Sequence, residues 1–201
     1  MKKALVFSLA AMAVGVAQAQ MSVGVEGGVF QADIDSVVAS EIRSTGRSVT
    51  AATDDSSSGF RLFGSTPLNQ KTDVEFGFFT HSDFSVKYNF TFVPLVGTQT
   101  YSFSGLDLSA VHKPLNNGFF VKGGLHSSRY NIDTQVRSTT TGFTSSVDTS
   151  GTGIGFLAGL GYEATVSDGV KARASFVRYM NIGGESDLAM NLMTLGISKA
   201  F

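Results

Sequence analysis

The side chains able to do acid–base or nucleophilic chemistry are few in this chain. It has three histidines and no cysteine, so thiolate catalysis, thiolate metal sites and disulfides are excluded. His81 and His112 have no partner at metal-ligand spacing, and no metal or other cofactor is expected. His126 differs because Ser128 stands two residues on. A histidine beside a serine can take the hydroxyl proton and prepare attack on an ester carbonyl. The remaining chemical potential is ionic. Glu26, Arg61, Glu75, Asp107, Lys122, Glu163, Lys171 and Arg173 stand among small residues, acids balanced against bases. The net charge is −1 and no basic cluster occurs, so nucleic acid is not an expected partner.

These charges are held by segments of period two, the pattern of β-strands. Met21 to Ala32 sets Val23, Val25 and Val29 against Ser22, Gly24, Glu26 and Gly28. Phe60 and Leu62 oppose Arg61; Val74, Phe76 and Phe78 oppose Glu75, Gly77 and Phe79; Leu106, Leu108 and Ala110 oppose Gly105, Asp107 and Ser109. Phe119, Val121 and Leu125 oppose Lys122, Gly124 and His126. Ile154, Phe156, Ala158, Leu160 and Tyr162 oppose three glycines, Leu157 and Glu163. Val170, Ala172, Ala174 and Phe176 oppose Lys171, Arg173 and Ser175. The eighth segment, Ala189 to Phe201, puts Met193, Leu195, Ile197 and Phe201 on one face. Each strand therefore has a bulky apolar face and a small face with single charges.

The connections alternate in length. Asp33–Ser58 and Asn131–Gly151 read as long polar loops, whereas Pro67–Gln70, Lys113–Gly118 and Ser167–Gly169 read as tight turns, with Asn117-Gly118 suited to positive φ. Ahead of the strands, Met1-Lys2-Lys3, the apolar run Ala4–Val16 and Ala17-Gln18-Ala19 have the layout of a secretory signal peptide over 1–19, leaving 20–201 as one domain.

Eight strands with long and short connections in alternation resemble the eight-stranded outer-membrane barrel domain of the OmpA/OmpX type, and the last strand resembles the closing strand of such barrels, which end in Phe. Lys199 departs from the Tyr or apolar residue usual there. The resemblance implies an all-β, antiparallel, up-and-down transmembrane barrel in the outer membrane of a Gram-negative bacterium. Its implied partners are outer-membrane lipids, lipopolysaccharide, the barrel assembly machinery and a surface protein or host ligand met by the long loops. Adhesion or surface binding is the expected role, and no enzyme activity is expected. The eight charges would then face a narrow lumen as a paired network, with Phe119, Tyr162 and Phe201 near the lower interface as part of an aromatic girdle. A soluble lipocalin-like ligand carrier, with the two faces exchanged, is the inverted alternative.

Two further expectations concern particular residues. His126-Ser127-Ser128 resembles the His-x-Ser of outer-membrane lipid A deacylases, although Arg129 stands where those have Asn, and His126 shares the parity of Lys122 rather than of the lipid face. Phe84, Val86, Tyr88, Phe90 and Phe92 continue the parity of Phe76 and Phe78, so one apolar ladder is expected from Val74 to Phe92. It either presents an apolar hairpin to a partner or bends over onto the other loops.

Overall fold

Bulky residues at every second position commit most of the chain to strands whose apolar sides must share one environment. The computed structural model describes residues 21–32, 49–54, 56–90, 94–115 and 117–201; the expected signal peptide lies outside them. Ten strands form among the described residues: β1 (Ser22–Ala32), β2 (Val49–Asp54), β3 (Ser56–Asn69), β4 (Thr72–His81), β5 (Phe84–Phe90), β6 (Leu95–His112), β7 (Phe119–Ser138), β8 (Thr144–Ser167), β9 (Val170–Met180) and β10 (Ala189–Ala200). Eight close a ring of antiparallel pairs. The order runs β1, β3, β4, β6, β7, β8, β9, β10 and back to β1. The all-β, eight-stranded antiparallel barrel expected from the alternation is the observed fold.

The ring also has the expected inside and outside. Glu26, Arg61, Glu75, Asp107 and Lys122 are buried within it, while Val25, Leu62, Phe76, Leu108, Leu160 and Leu195 stand exposed around it. A soluble carrier needs the reverse arrangement, so the inverted alternative is excluded. The belt ends in aromatics where the tight turns lie. Phe119 and Tyr162 are cross-strand partners, and the Phe201 N–H donates to the Met21 carbonyl at 2.8 Å. Lys199 places its ammonium 5.8 Å from the Phe201 ring centroid, so the unusual lysine is accommodated by a cation–π contact at the belt's edge.

The far end departs from expectation. Asn131–Gly151, expected as a long polar loop, is largely strand; of the other expected loop, Asp33–Ser58, residues 33–48 lie outside the described residues and 49–54 and 56–58 are strand. β7 and β8 have 20 and 24 residues, about 66 and 79 Å at roughly 3.3 Å each, far beyond the roughly ten residues a tilted strand needs to cross a bilayer. β2 and β5 prolong β3 and β4, with β5 pairing to the upper half of β6 and β2 pairing to β5. A five-stranded sheet, in the order β2, β5, β6, β7, β8, thus rises above the ring.

The expected apolar ladder is also corrected. Thr80 pairs with Ser104 and Phe84 with Tyr101, so four steps along β4–β5 match three along β6. One extra residue exchanges the two faces of a strand. Ser82 marks the break, its N–H donating to the Ser58 carbonyl at 2.8 Å. Beyond it Phe84, Val86 and Tyr88 turn inward and are buried, and Phe90 is half-buried. Phe92 lies outside the described residues. The described aromatics of the hairpin, Phe84, Tyr88 and Phe90, therefore pack toward the interior instead of facing out.

Leu195, 72% exposed in the middle of β10, tests the bilayer-facing assignment. Leu195→Arg is expected to cost about 2–4 kcal/mol of folding free energy in lipid vesicles, whereas Leu195→Val is expected to change little. A urea titration followed by the folded-band shift on unheated gels measures both.

Candidate functional site

Three neighbouring regions are built from the chemically capable residues: an ionic layer, an apolar layer with a loop folded over it, and the protruding sheet. The ionic layer centres on Arg61, 0% exposed. Its Nε and Nη2 donate to the two oxygens of Asp107 at 2.8 and 2.7 Å, Nη2 also to Glu75 at 3.2 Å, and Nη1 to Glu26 at 3.4 Å. Gly77 makes the space, since a Cβ there would lie 2.6 Å from Arg61 Nη2. Lys122 donates to Glu75 at 3.1 Å and Arg173 to Glu75 at 2.6 Å. Arg173 lies 3.7 Å from Glu163, which Lys171 reaches at 2.9 Å. All eight charges named from the sequence are thus brought into one connected network.

Several members were not foreseen. Tyr179 donates its hydroxyl to Asp107 at 3.2 Å. The Phe63 ring lies between two guanidinium groups, 5.1 Å from Arg61 and 4.9 Å from Arg173, and Phe120 lies 4.4 Å from Arg173. These aromatics were legible as bulky residues on the small-residue face, two positions from a charge. Lys113 belongs by sequence to the tight turn, yet it reaches both Asp73 and Glu163 at 2.7 Å. Burial works against its charge, but these two carboxylates prevail and hold its pKa above the usual lysine value. A cavity of about 320 Å³ at this turn end is lined by Asp73, Lys113, Glu163, Lys171 and Arg173 among others.

Above the charges the interior becomes apolar. Phe30, Phe79, Phe84, Phe103, Tyr179, Met190 and Leu192 are buried in one cluster. His81 sits among Phe30, Phe84 and Phe103, with ring centroids 5.2, 4.6 and 5.2 Å away. The β9–β10 connection folds over this layer, burying Ile182. Gly183 makes that path possible: its φ is +64°, and any side chain there would collide with the Tyr130 ring.

His126 and Ser128 hold this loop. His126 Nε2 donates to the Met180 carbonyl at 2.9 Å, and the Gly183 N–H donates to Ser128 Oγ at 2.9 Å. Both side chains are inside the barrel and buried. His126 Nε2 and Ser128 Oγ contact the loop, away from the lipid face where a lipid A ester would lie. The deacylase-like alternative fails on this orientation, and the His-x-Ser pair is a loop fastening.

In the protruding sheet Tyr88 and Tyr101 donate to Gln99 Oε1 at 2.6 and 2.8 Å, and Gln99 Nε2 donates to Thr134 at 3.1 Å. This relay ties β5, β6 and β7 together. At the far side β9 pairs with β8 only from Phe156 onward, so among the described strands the edge of Thr144–Thr152 has no partner. Residues 144–150 are all exposed.

A closed ring with an apolar belt, a charge-filled interior and a sheet rising from one end defines an integral outer-membrane β-barrel of the small, eight-stranded class. No family model matches the chain and no curated protein is similar to it in sequence. Among solved structures it is similar to Ail, the attachment invasion locus protein of Yersinia pestis, at 16% identity and TM-score 0.50, covering 90% of this chain and 99% of Ail; that structure holds the heparin analogue sucrose octasulfate. OprG of Pseudomonas aeruginosa is similar at 13% identity and TM-score 0.48, covering 88% of this chain and 95% of OprG. Neisserial surface protein A is similar at 15% identity and TM-score 0.40, covering 90% and 97%. The likeness to Ail is one of fold.

Removing the central cation leaves Glu26, Glu75 and Asp107 short of positive charge in a dry interior. Arg61→Met is expected to cost about 3–5 kcal/mol, and the double variant Arg61→Met/Asp107→Leu to recover part of that loss. Urea midpoints of the refolded protein decide it. Equal midpoints for native protein and Arg61→Met would remove the network from the stability argument.

Proposed function

We propose that the protein is a non-catalytic surface-binding protein whose barrel anchors the five-stranded sheet outside the cell. The observation that carries this reading is the edge of β8 at Thr144–Thr152, which has no partner among the described strands. An unpaired strand edge offers a row of backbone donors and acceptors to an incoming strand. A rigid, membrane-anchored edge supplies much of the order that such binding requires in advance.

The ionic network serves this role as the packed core of the anchor rather than as an ion path. An eight-stranded interior is just wide enough for side chains to fill, and paired charges occupy its lower part with aromatics above them. We propose that residues 1–19 direct export as a signal peptide, and that Met193, Leu195, Ile197 and Phe201 are met by the barrel assembly machinery. Ail's complex with a sulfated sugar analogue belongs to Ail; adhesion is the common theme carried over here, and the ligand is not.

Escherichia coli cells displaying the protein are expected to adhere to cultured epithelial cells or to immobilised matrix proteins more than vector controls do. Trimming the β7–β8 hairpin from Asp133 to Asp148 down to a two-residue turn is expected to abolish the gain and leave the heat-dependent gel shift intact. Adhesion that survives the trimming, or that never exceeds the control, overturns the surface-binding role.

A further inference from the structure

We infer that the β8 edge selects an extended polypeptide segment carrying a basic residue, and that Asp133 and Asp148 are the selecting pair. This rests on the surface-binding reading above and names the partner's chemistry. Asp133 on β7 and Asp148 on β8 are direct cross-strand partners. Directly opposed residues have Cβ atoms about 4.5–5.5 Å apart, and like charges so placed are destabilising. Along β7 the inward residues Ile132, Thr134 and Val136 are the more covered set, so Asp133 lies on the outward face, and Asp148 lies beside it.

Among the described residues, no cation is an immediate neighbour of the pair on that face. Thr100 precedes Asp133 across the sheet, Asn131 and Gln135 flank it on β7, and Ser146 and Ser150 flank Asp148 on β8. Among the described residues, the immediate neighbours therefore offer the repulsion no compensation. A strand added to the free edge of β8 places one residue opposite Asp148, on the same face. Lys or Arg there pairs with Asp148 and has the length to approach Asp133 one strand further in. Glu or Asp there adds a third like charge to the row.

The adjacent position adds a second requirement. Val147 faces the other side of the sheet and is 61% exposed, so the incoming residue opposite it gains by being apolar. The recognised pattern is thus a basic residue next to an apolar one in an extended segment. A second copy of this chain fits poorly. Full-length antiparallel pairing of two β8 edges over Thr144–Thr152 centres on Asp148 and sets it against its own copy, gathering four carboxylates. A sulfated polyanion meets the same repulsion at this edge.

The test uses the full barrel refolded in lipid nanodiscs and three fluorescein-labelled nine-residue peptides of alternating Thr and Val, with Lys, Ser or Glu at the centre. At low salt the Lys peptide is expected to bind about fivefold more tightly than the Ser peptide, the scale of one exposed ion pair, and the Glu peptide more weakly still. Asp148→Asn is expected to remove most of this order and Asp148→Lys to reverse it. Ser146→Pro, on the unpaired side of the sheet, is expected to weaken all three peptides while the gel shift confirms folding.

Equal affinities that Ser146→Pro abolishes overturn charge selection and leave edge binding standing. A preference for Glu, or for sucrose octasulfate competing at this edge, overturns the inference directly. No binding by any peptide, with hairpin-dependent adhesion still present, overturns the edge as the contact while the surface-binding reading survives. Loss of both overturns the two together.

Discussion

Everything in this molecule depends on keeping the Arg61 guanidinium charged where there is almost no water. A bilayer outside an eight-stranded ring pushes every charge to the inward face, and the ring is too narrow to hydrate what arrives there. Desolvating an isolated guanidinium or carboxylate costs several kcal/mol, and only close pairing with good hydrogen bonds offsets it. Asp107 meets that demand with a two-pronged contact, Glu75 and Glu26 complete the arc, and Tyr179 satisfies a remaining lone pair on Asp107. Gly77 and Phe63 follow from the same constraint: one leaves room for the guanidinium, and the other gives its flat face a partner. The charges are a core in which ion pairs do the work that hydrocarbon does elsewhere.

The same strands then leave the bilayer and meet a different solvent, and the preferred polarity of the two faces reverses. Below, apolar side chains point out and charges point in; above, Lys87, Asn89, Asn131 and Asp133 point out while aromatics point in. β6 achieves this by composition alone, since its inward row changes from Asp107 and Ser109 to Phe103 and Tyr101 without any shift in parity. β4 and β5 achieve it by geometry. Apart from Phe79, their bulky apolar residues stay on even positions, so an extra residue at Ser82–Asp83 rotates Phe84, Val86 and Tyr88 inward. An aromatic ladder left outward would have stood in water above the membrane.

This difference explains what could be read from the chain. The ring strands were legible because a bilayer on one side and a packed lumen on the other force strict alternation, and all eight charges could be assigned to the inner face from parity. Their partners could not, because pairing depends on the stagger between strands such as β3 and β6 that are distant in sequence. The upper strands were illegible for a related reason. With both faces exposed, Thr144–Ser150 has no apolar alternation and reads like a loop, although its backbone is held by a continuous ladder to β7. The parity break at Ser82 was hidden because alternation resumes cleanly on either side of it. His126 and Ser128 had the right residue types for ester chemistry and the right parity for the lumen, and the parity was the better guide.

An exposed edge is normally blunted by lysine, proline, a bulge or a cover, because it invites indiscriminate pairing. The upper part of β8 lacks lysine and proline and carries one acid, Asp148, placed against a second on β7. On the proposed reading that placement disfavours self-association without closing the edge, since a copy of the same strand brings the same charge. It also makes mechanical sense in an anchored protein. The exposed segment and the membrane-spanning segment are one uninterrupted strand, Thr144–Ser167, hydrogen-bonded to β7 along the upper part and to both β7 and β9 below. On the proposed reading, load applied to a strand docked at Thr144–Thr152 would pass through the β7–β8 backbone ladder into the closed ring. On the same reading, the buried network and the β8 edge, unpaired among the described strands, are two ends of one device: the first stiffens the barrel and the second offers a partner a rigid place to dock.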